Sequence, residues 1–155
     1  NCIYLSDSAK ELKKKVNSMF TDPEHLTIES PGHLEGNAVF TYLDAFATDD
    51  DFAKFLPEYK NLDEMKAHYT RGGLGDGTCK KFLLNVLNDR LEPIRNRRAE
   101  LEKNIPAVVE ILKRGTEAAR EVGKKTLADV RKAMRIDYFE DDGFAAEQTA
   151  RFAQK

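Results

Sequence analysis

Long apolar runs are missing from this chain. No stretch approaches the ~18 residues that would suggest a membrane span, and no secretory-type hydrophobic segment opens it, so neither a membrane partner nor export is expected. Cysteine is scarce: Cys2 and Cys79 are the only two. They form neither a CxxC pair nor part of a ligand cluster, which excludes a disulfide framework and a zinc-type site, and free thiols in a reducing cytoplasm are expected. The three histidines, His25, His33 and His68, are scattered, with no HExxH spacing. No Ser/His/Asp arrangement with a nucleophile elbow and no GxxxxGK[ST] phosphate loop occurs either. Consecutive acids at 49–51 lack the spacing of a Mg²⁺ site and read as helix-start charge. The residues therefore point to no catalytic centre, no metal site and no bound cofactor.

What is present describes an ordinary folded domain. The 155 residues are 41% hydrophobic and 34% charged, enough apolar material for one core and too much for a disordered tail. A net charge of -2 hides a polarity along the chain. Residues 1–70 carry 7 Lys/Arg against 13 Asp/Glu, residues 71–136 carry 16 against 9, and the remainder carries 2 against 5. A basic block inside an acidic protein is a reason to look for a polyanion, although solvated helix faces produce the same count.

The periodicity is helical almost throughout. Residues 2–5 read as a short extended segment. Ser8 with Glu11 makes a capping-box pattern before a helix that places Leu12, Val16 and Met19/Phe20 on one face. Residues 21–37, with Pro23, Pro31, Gly32 and Gly36, predict an ordered loop. Asn37, Thr48 and Asn61 are then N-cap candidates for three short helices, the third stopped by Gly72-Gly73. Past the glycine-rich turn 72–77 a long helix is expected over about 78–103. Its buried stripe is Leu83, Val86/Leu87, Arg90/Leu91 and Ile94, with Pro93 inside it. Asn104 caps a second long helix, with Ile105, Val108/Val109, Leu112, Ala119 and Val122 on one face, continuous through Gly123 to about Asp137. The tight connection between the two long helices predicts antiparallel packing. The acidic tail from Asp141-Asp142-Gly143 reads as a loosely held extension. The fold class is all-α, a helical bundle with two long antiparallel helices.

The glycine-rich turn is the best candidate for contact with a polyanion. It opens onto a helix N-terminus, where backbone amides face outward. Tyr69 and Arg71 precede it and could stack on unpaired bases, while Lys80 and Lys81 on the first turn could meet phosphates or base edges. Lysines at a helix N-terminus oppose the helix dipole, so helix stability alone does not account for them.

Specific strings then add a resemblance. Thr21-Asp22-Pro23-Glu24-His25, Ser30-Pro31-Gly32 and Glu35-Gly36-Asn37-Ala38-Val39-Phe40-Thr41-Tyr42-Leu43-Asp44-Ala45-Phe46 look like stretches of bacterial tryptophanyl-tRNA synthetases. Tyr69-Thr70-Arg71-Gly72-Gly73-Leu74-Gly75-Asp76, then Lys80-Lys81, then Leu91-Glu92-Pro93-Ile94-Arg95-Asn96-Arg97-Arg98, come in that family's order. The usual family ending falls near Ile136-Asp137-Tyr138-Phe139. The opening Asn1-Cys2-Ile3-Tyr4-Leu5-Ser6-Asp7, without an initiator Met, resembles the segment directly after the family's KMSKS loop.

The resemblance implies a C-terminal, helical anticodon-binding domain of a class I synthetase. It places a linker strand and helix at 1–20, the binding domain at 21–139 and an extension at 140–155. The parent would activate tryptophan with ATP and Mg²⁺ and charge tRNA(Trp) in the cytoplasm, as a homodimer. This chain would lack the N-terminal catalytic domain, hold no ATP or Mg²⁺ and be inactive alone. Its partner would be the anticodon region of tRNA(Trp). The family's anticodon-reading lysine falls on Lys80; Glu24 and His25 align loosely with another anticodon-contacting part. Lys81, Arg71 and Tyr69 join the candidates from charge and position. A ligand-free helical scaffold and a tyrosyl-specific relative are the alternative readings.

Overall fold

The computed structural model describes residues 2–138, 140 and 143–153. Among these the architecture is all-helical: α1 (Ala9–Asn17), α2 (Ala38–Phe46), α3 (Asp49–Phe55), α4 (Leu62–Arg71), α5 (Asp76–Glu102), α6 (Ile105–Ala133) and α7 (Phe144–Ala153). The chain divides into two compact units, one up to Glu100 and one from Leu101 onward.

Helix starts in the first unit are set by side chains that satisfy otherwise unpaired amides. Ser8 accepts from the Glu11 N–H while Glu11 accepts from the Ser8 N–H, the reciprocal box expected from sequence. Asn37 accepts from the Val39 N–H and Asn61 from the Glu64 N–H. Before α3 the Thr48 N–H and hydroxyl both donate to Asp51 at 2.8 Å. Such caps contribute roughly 1 kcal/mol each. Asp51 is itself buried and held by Arg90 at 2.7 Å, so the acids at 49–51 serve the helix start.

The core of the first unit gathers α1 to α5. Leu12 and Val16 of α1 meet Val39, Phe40 and Leu43 of α2, Phe52 of α3, Met65 and Tyr69 of α4, and Phe82, Leu83, Val86 and Leu87 of α5. Two ring pairs sit within it, Phe52 on Phe82 at 4.4 Å and Phe40 on Tyr69 at 4.8 Å between centroids. Burial of each large side chain contributes about 1.5–3 kcal/mol before entropy is charged against it. Leu12 and Val16 thus join α1 to this core.

The loop 21–36 contains no regular helix or strand but is tied down along its length. The Gly32 N–H donates to the Tyr69 carbonyl at 3.0 Å, and the Gly73 N–H donates to the Ile28 carbonyl at 2.7 Å. Gly32 lies against the Tyr69 ring so closely that a Cβ there would fall 2.3 Å from it. Gly72 and Gly73 both have positive φ, 89° and 108°, the conformation that ends α4 and turns the chain into α5.

In the second unit α6 runs unbroken through Gly123, with Asn104 accepting from the Ala107 N–H. The expected apolar face is there but not buried: Leu112 is 64% exposed, and Ile105, Val109, Val122, Leu127 and Val130 are exposed too. Ile94, expected in the stripe of α5, is likewise exposed. The periodicity is real in both places, but among the described residues these side chains are left largely in solvent. Residues 144–153 form α7, which buries no residue, whereas Asn1, Phe139, Asp141, Asp142, Gln154 and Lys155, on which parts of the opening, ending and tail readings rest, lie outside the described residues.

Candidate functional site

The glycine turn delivers the chain to Asp76, the first residue of α5, and Asp76 organises what surrounds it. Its Oδ1 accepts the Tyr69 hydroxyl at 2.7 Å and lies 3.3 Å from His25 Nδ1, while its Oδ2 accepts the Thr21 hydroxyl at 2.9 Å. Asn37, the α2 cap, donates through Nδ2 to the Tyr69 hydroxyl at 3.2 Å. One carboxylate at a helix N-terminus, where the dipole favours it, thus ties the loop, α2, α4 and α5 together. His25 and Tyr69 are also in ring contact at 4.8 Å.

This network corrects the expectation for Tyr69. The residue is completely buried, its ring enclosed by Gly32, His25 and Phe40, so it has no face on which a base could stack. Burial first, then the hydrogen bond to Asp76, pushes its hydroxyl well above the ordinary tyrosine range. Tyr69 therefore remains a neutral donor. Cys79, one turn further along α5, is pushed up to about 12 by burial and then by the Asp76 charge. It is a core thiol with no thiolate chemistry.

In front of this network lies a cavity of about 590 Å³, lined by His25, Leu26, Thr27 and Ile28 of the loop, Glu58 and Tyr59, His68, and the turn from Gly73 to Thr78. Leu26 and Ile28 are exposed at its lip. The Tyr59 hydroxyl and His68 Nδ1 share a 2.7 Å hydrogen bond. Burial, then the Glu58 charge, holds the Tyr59 pKa above its usual value, so the hydroxyl stays neutral in this hydrogen bond. The His25 side chain is only 2% exposed, and its Nε2 is buried with no hydrogen-bond partner. An orphan of this kind costs about 1–3 kcal/mol.

The two lysines separate. Lys80 donates through Nζ to the Asn17 carbonyl at 3.0 Å, at the C-terminal end of α1. A cation there is favourable to the α1 dipole, which gives the lysine a structural reason for a position that looked misplaced on α5. Lys81 is exposed and lines a smaller groove with Phe55, Leu56, Pro57, Glu58, Thr78, Phe82 and Asn85. That groove shares Glu58 and Thr78 with the larger cavity. Arg71 is exposed at the end of α4 and close enough to Tyr59 to act on it electrostatically. Arg95, part of the basic run, is folded inward: Nε donates to the Asp7 carbonyl at 2.8 Å and Nη1 to Asn88 at 3.0 Å.

The structure thus leaves Arg71 exposed at the end of α4, places Lys81 on the groove that adjoins the cavity, and puts Tyr69 and Lys80 in structural contacts. Sequence reasoning missed Asp76, Glu58 and His68. For Asp76 the local signal, an acid at a helix start, was present, but its partners Thr21 and His25 are 55 and 51 residues away. Among the described residues no cluster of three or more His, Cys, Asp or Glu could hold a metal ion.

Among known proteins, the chain is similar to synthetases. It is 54% identical over 139 residues to the tryptophan–tRNA ligase of Clostridium longisporum and 49% identical over 139 residues to that of Streptococcus mutans, covering 90% of this chain in each case. The chain spans 38% and 39% of those relatives' own lengths. The fold is similar to that of the tryptophanyl-tRNA synthetase from Campylobacter jejuni, with a TM-score of 0.64 at 24% identity, over 86% of this chain and 40% of that one. No protein-family model matches the chain.

Proposed function

We propose that this chain is the tRNA-contacting part of a tryptophan–tRNA ligase and engages the anticodon region of tRNA(Trp) at the N-terminal end of α5. The observation that carries this is the juxtaposition, on a 54%-identical relative of such ligases, of an open cavity at a helix N-terminus with Lys81 on the adjoining groove, and exposed Arg71 ending the helix before the turn. Unpaired bases are taken up by pockets and stacking surfaces, while cations hold the backbone. Lys80 stays among the proposed contacts through the family resemblance, in a secondary role because its ammonium already has a partner.

In this reading the activating chemistry, tryptophan and ATP with Mg²⁺ giving an adenylate and then aminoacyl-tRNA, belongs to the remainder of a longer, cytoplasmic, homodimeric enzyme. This chain holds none of those cofactors. The test is a fluorescence anisotropy titration of labelled tRNA(Trp) against a copy with an altered anticodon, at two salt concentrations. A preference for the native anticodon that persists at higher salt is expected. Equal binding that salt abolishes would reduce the site to a basic surface, because counterion release alone would then account for it. A pure sample is also expected to show no tryptophan-dependent pyrophosphate exchange, and measurable exchange would overturn that assignment.

A further inference from the structure

The apolar face of α6 is one continuous sector. At about 100° per residue, roughly 140° of the helix circumference carries no charged side chain from Ile105 to Met134. Its large members, among them Ile105, Val109, Leu112, Leu127, Val130 and Met134, are all exposed. One edge of the sector is basic. Lys113, Arg120, Lys124 and Arg131 follow one another there at steps of seven, four and seven residues, with Glu117 the acid among them. Of the four cations, only Lys124 has a salt-bridge partner among the described residues, Glu121 at 2.8 Å on the same helix. Sector and edge meet at an open groove of about 310 Å³, lined by Val109, Leu112, Lys113, Thr116, Glu117 and Arg120.

Independently of the RNA-contact reading, we propose that this face docks an acidic amphipathic helix of a partner protein. An apolar side chain of the partner enters the groove beside Leu112, and carboxylates on its flank meet the basic edge. Charge and shape select that occupant. A polynucleotide would use the cations and leave the apolar sector in water, so it does not account for the face. A lipid surface favours bulky and aromatic residues, whereas α6 has no Phe, Tyr or Trp, and Gly115, Ala119 and Gly123 occupy the middle of its sector. A Cβ placed at either glycine would meet nothing within 4 Å, so a second helix backbone can come close there. A second copy of this chain is not complementary. In an antiparallel pair like edges face each other, basic on basic. In a parallel pair the basic edge faces Ile111, Ala118, Lys125 and Asp129, where Asp129 is the one opposing charge.

The experiment titrates this chain into two labelled synthetic helical peptides of about four heptads, read by fluorescence anisotropy. Both carry leucine along the seam; one is flanked by glutamate and the other by lysine. The glutamate peptide is expected to bind at least about ten-fold more tightly. In Lys113→Glu/Arg120→Glu that advantage should shrink to less than about three-fold, and Leu112→Asp should weaken both peptides by about ten-fold or more. Because α6 buries no residue, these variants keep the fold, and unchanged helicity and melting temperature check this. Equal binding of the two peptides, or binding of neither, overturns the proposal. So does a concentration-dependent dimer of the chain alone that Leu112→Asp abolishes, which makes a second copy the occupant. Tighter capture by phosphatidylglycerol vesicles than by the glutamate peptide, lost in Leu112→Asp, overturns it in favour of a lipid surface.

Discussion

In α5, Phe82, Leu83, Val86 and Leu87 recur at steps of one, three and one residues and are buried; in α6, Ile105, Val109, Leu112 and Val130 recur at helical spacing and are exposed. The two helices are alike in length, 27 and 29 residues. The difference lies in what covers the stripe. Along α5 four other helices supply side chains, whereas α6 buries no residue. Amphipathic periodicity therefore identifies a face that could be covered and says nothing of whether a partner is present.

Paired truncations test this contrast most severely. Leu83→Ala should cost about 2–5 kcal/mol in chemical denaturation through the cavity it leaves, while Leu112→Ala should stay within about 0.5 kcal/mol. Comparable losses at both positions would mean that α6 has a covered face in solution. Next in size is Tyr69→Phe. It removes the donor to Asp76 and the acceptor for Asn37, and should destabilise by about 1–3 kcal/mol. A stability equal to wild type would show that the Asp76 network is incidental.

The neighbouring lysines make a finer comparison inside the same unit. Lys80→Ala should lower stability by about 0.3–1 kcal/mol, less at high salt, through the lost contact with the α1 terminus. Lys81→Ala should leave the melting temperature unchanged, weaken RNA binding and reduce the salt slope of binding by about one. If Lys80→Ala instead abolishes anticodon preference at full stability, the roles of the two residues are reversed.

A smaller change is expected from pH acting on the loop. The Glu24 N–H, aided by the His33 N–H and ring, holds Asp22 below the usual carboxylate range against the opposing effect of burial. The Asp22 hydrogen bond in turn raises the pKa of His33. The stabilisation from Asp22 is present above its unfolded pKa of about 4 and is lost as pH falls through its lower folded value. That from His33 is present below its unfolded pKa of about 6.5 and fades as pH rises through its higher folded value. Asp22→Asn should flatten both limbs of a melting temperature against pH profile. An identical profile would show that the pair contributes nothing to stability.

Much of the local structure was legible in the residues. The caps at Ser8, Asn37, Asn61 and Asn104, the stop at Gly72-Gly73 and the continuity of α6 all depend on side chains within four residues of the amides they serve, or on one residue's own φ preference. The site was legible only in part. Arg71 and Lys81 were marked by charge beside the glycine turn, and both are exposed. Tyr69 carried the same marks and is interior, because a tyrosine's exposure depends on what packs over it, here Gly32 and Phe40, from segments distant in sequence.

Helical content, most helix boundaries and the position of the glycine turn are therefore properties of the residues alone, since short-range hydrogen bonding and backbone sterics set them. The assembled fold was needed to join Asp76 to Thr21, His25 and Tyr69, to turn Lys80 toward α1 and Lys81 toward a groove, and to set Glu58 and His68 on one cavity. Those outcomes require segments tens of residues apart to be brought within bonding distance, and the energy that selects such contacts is shared across the whole core.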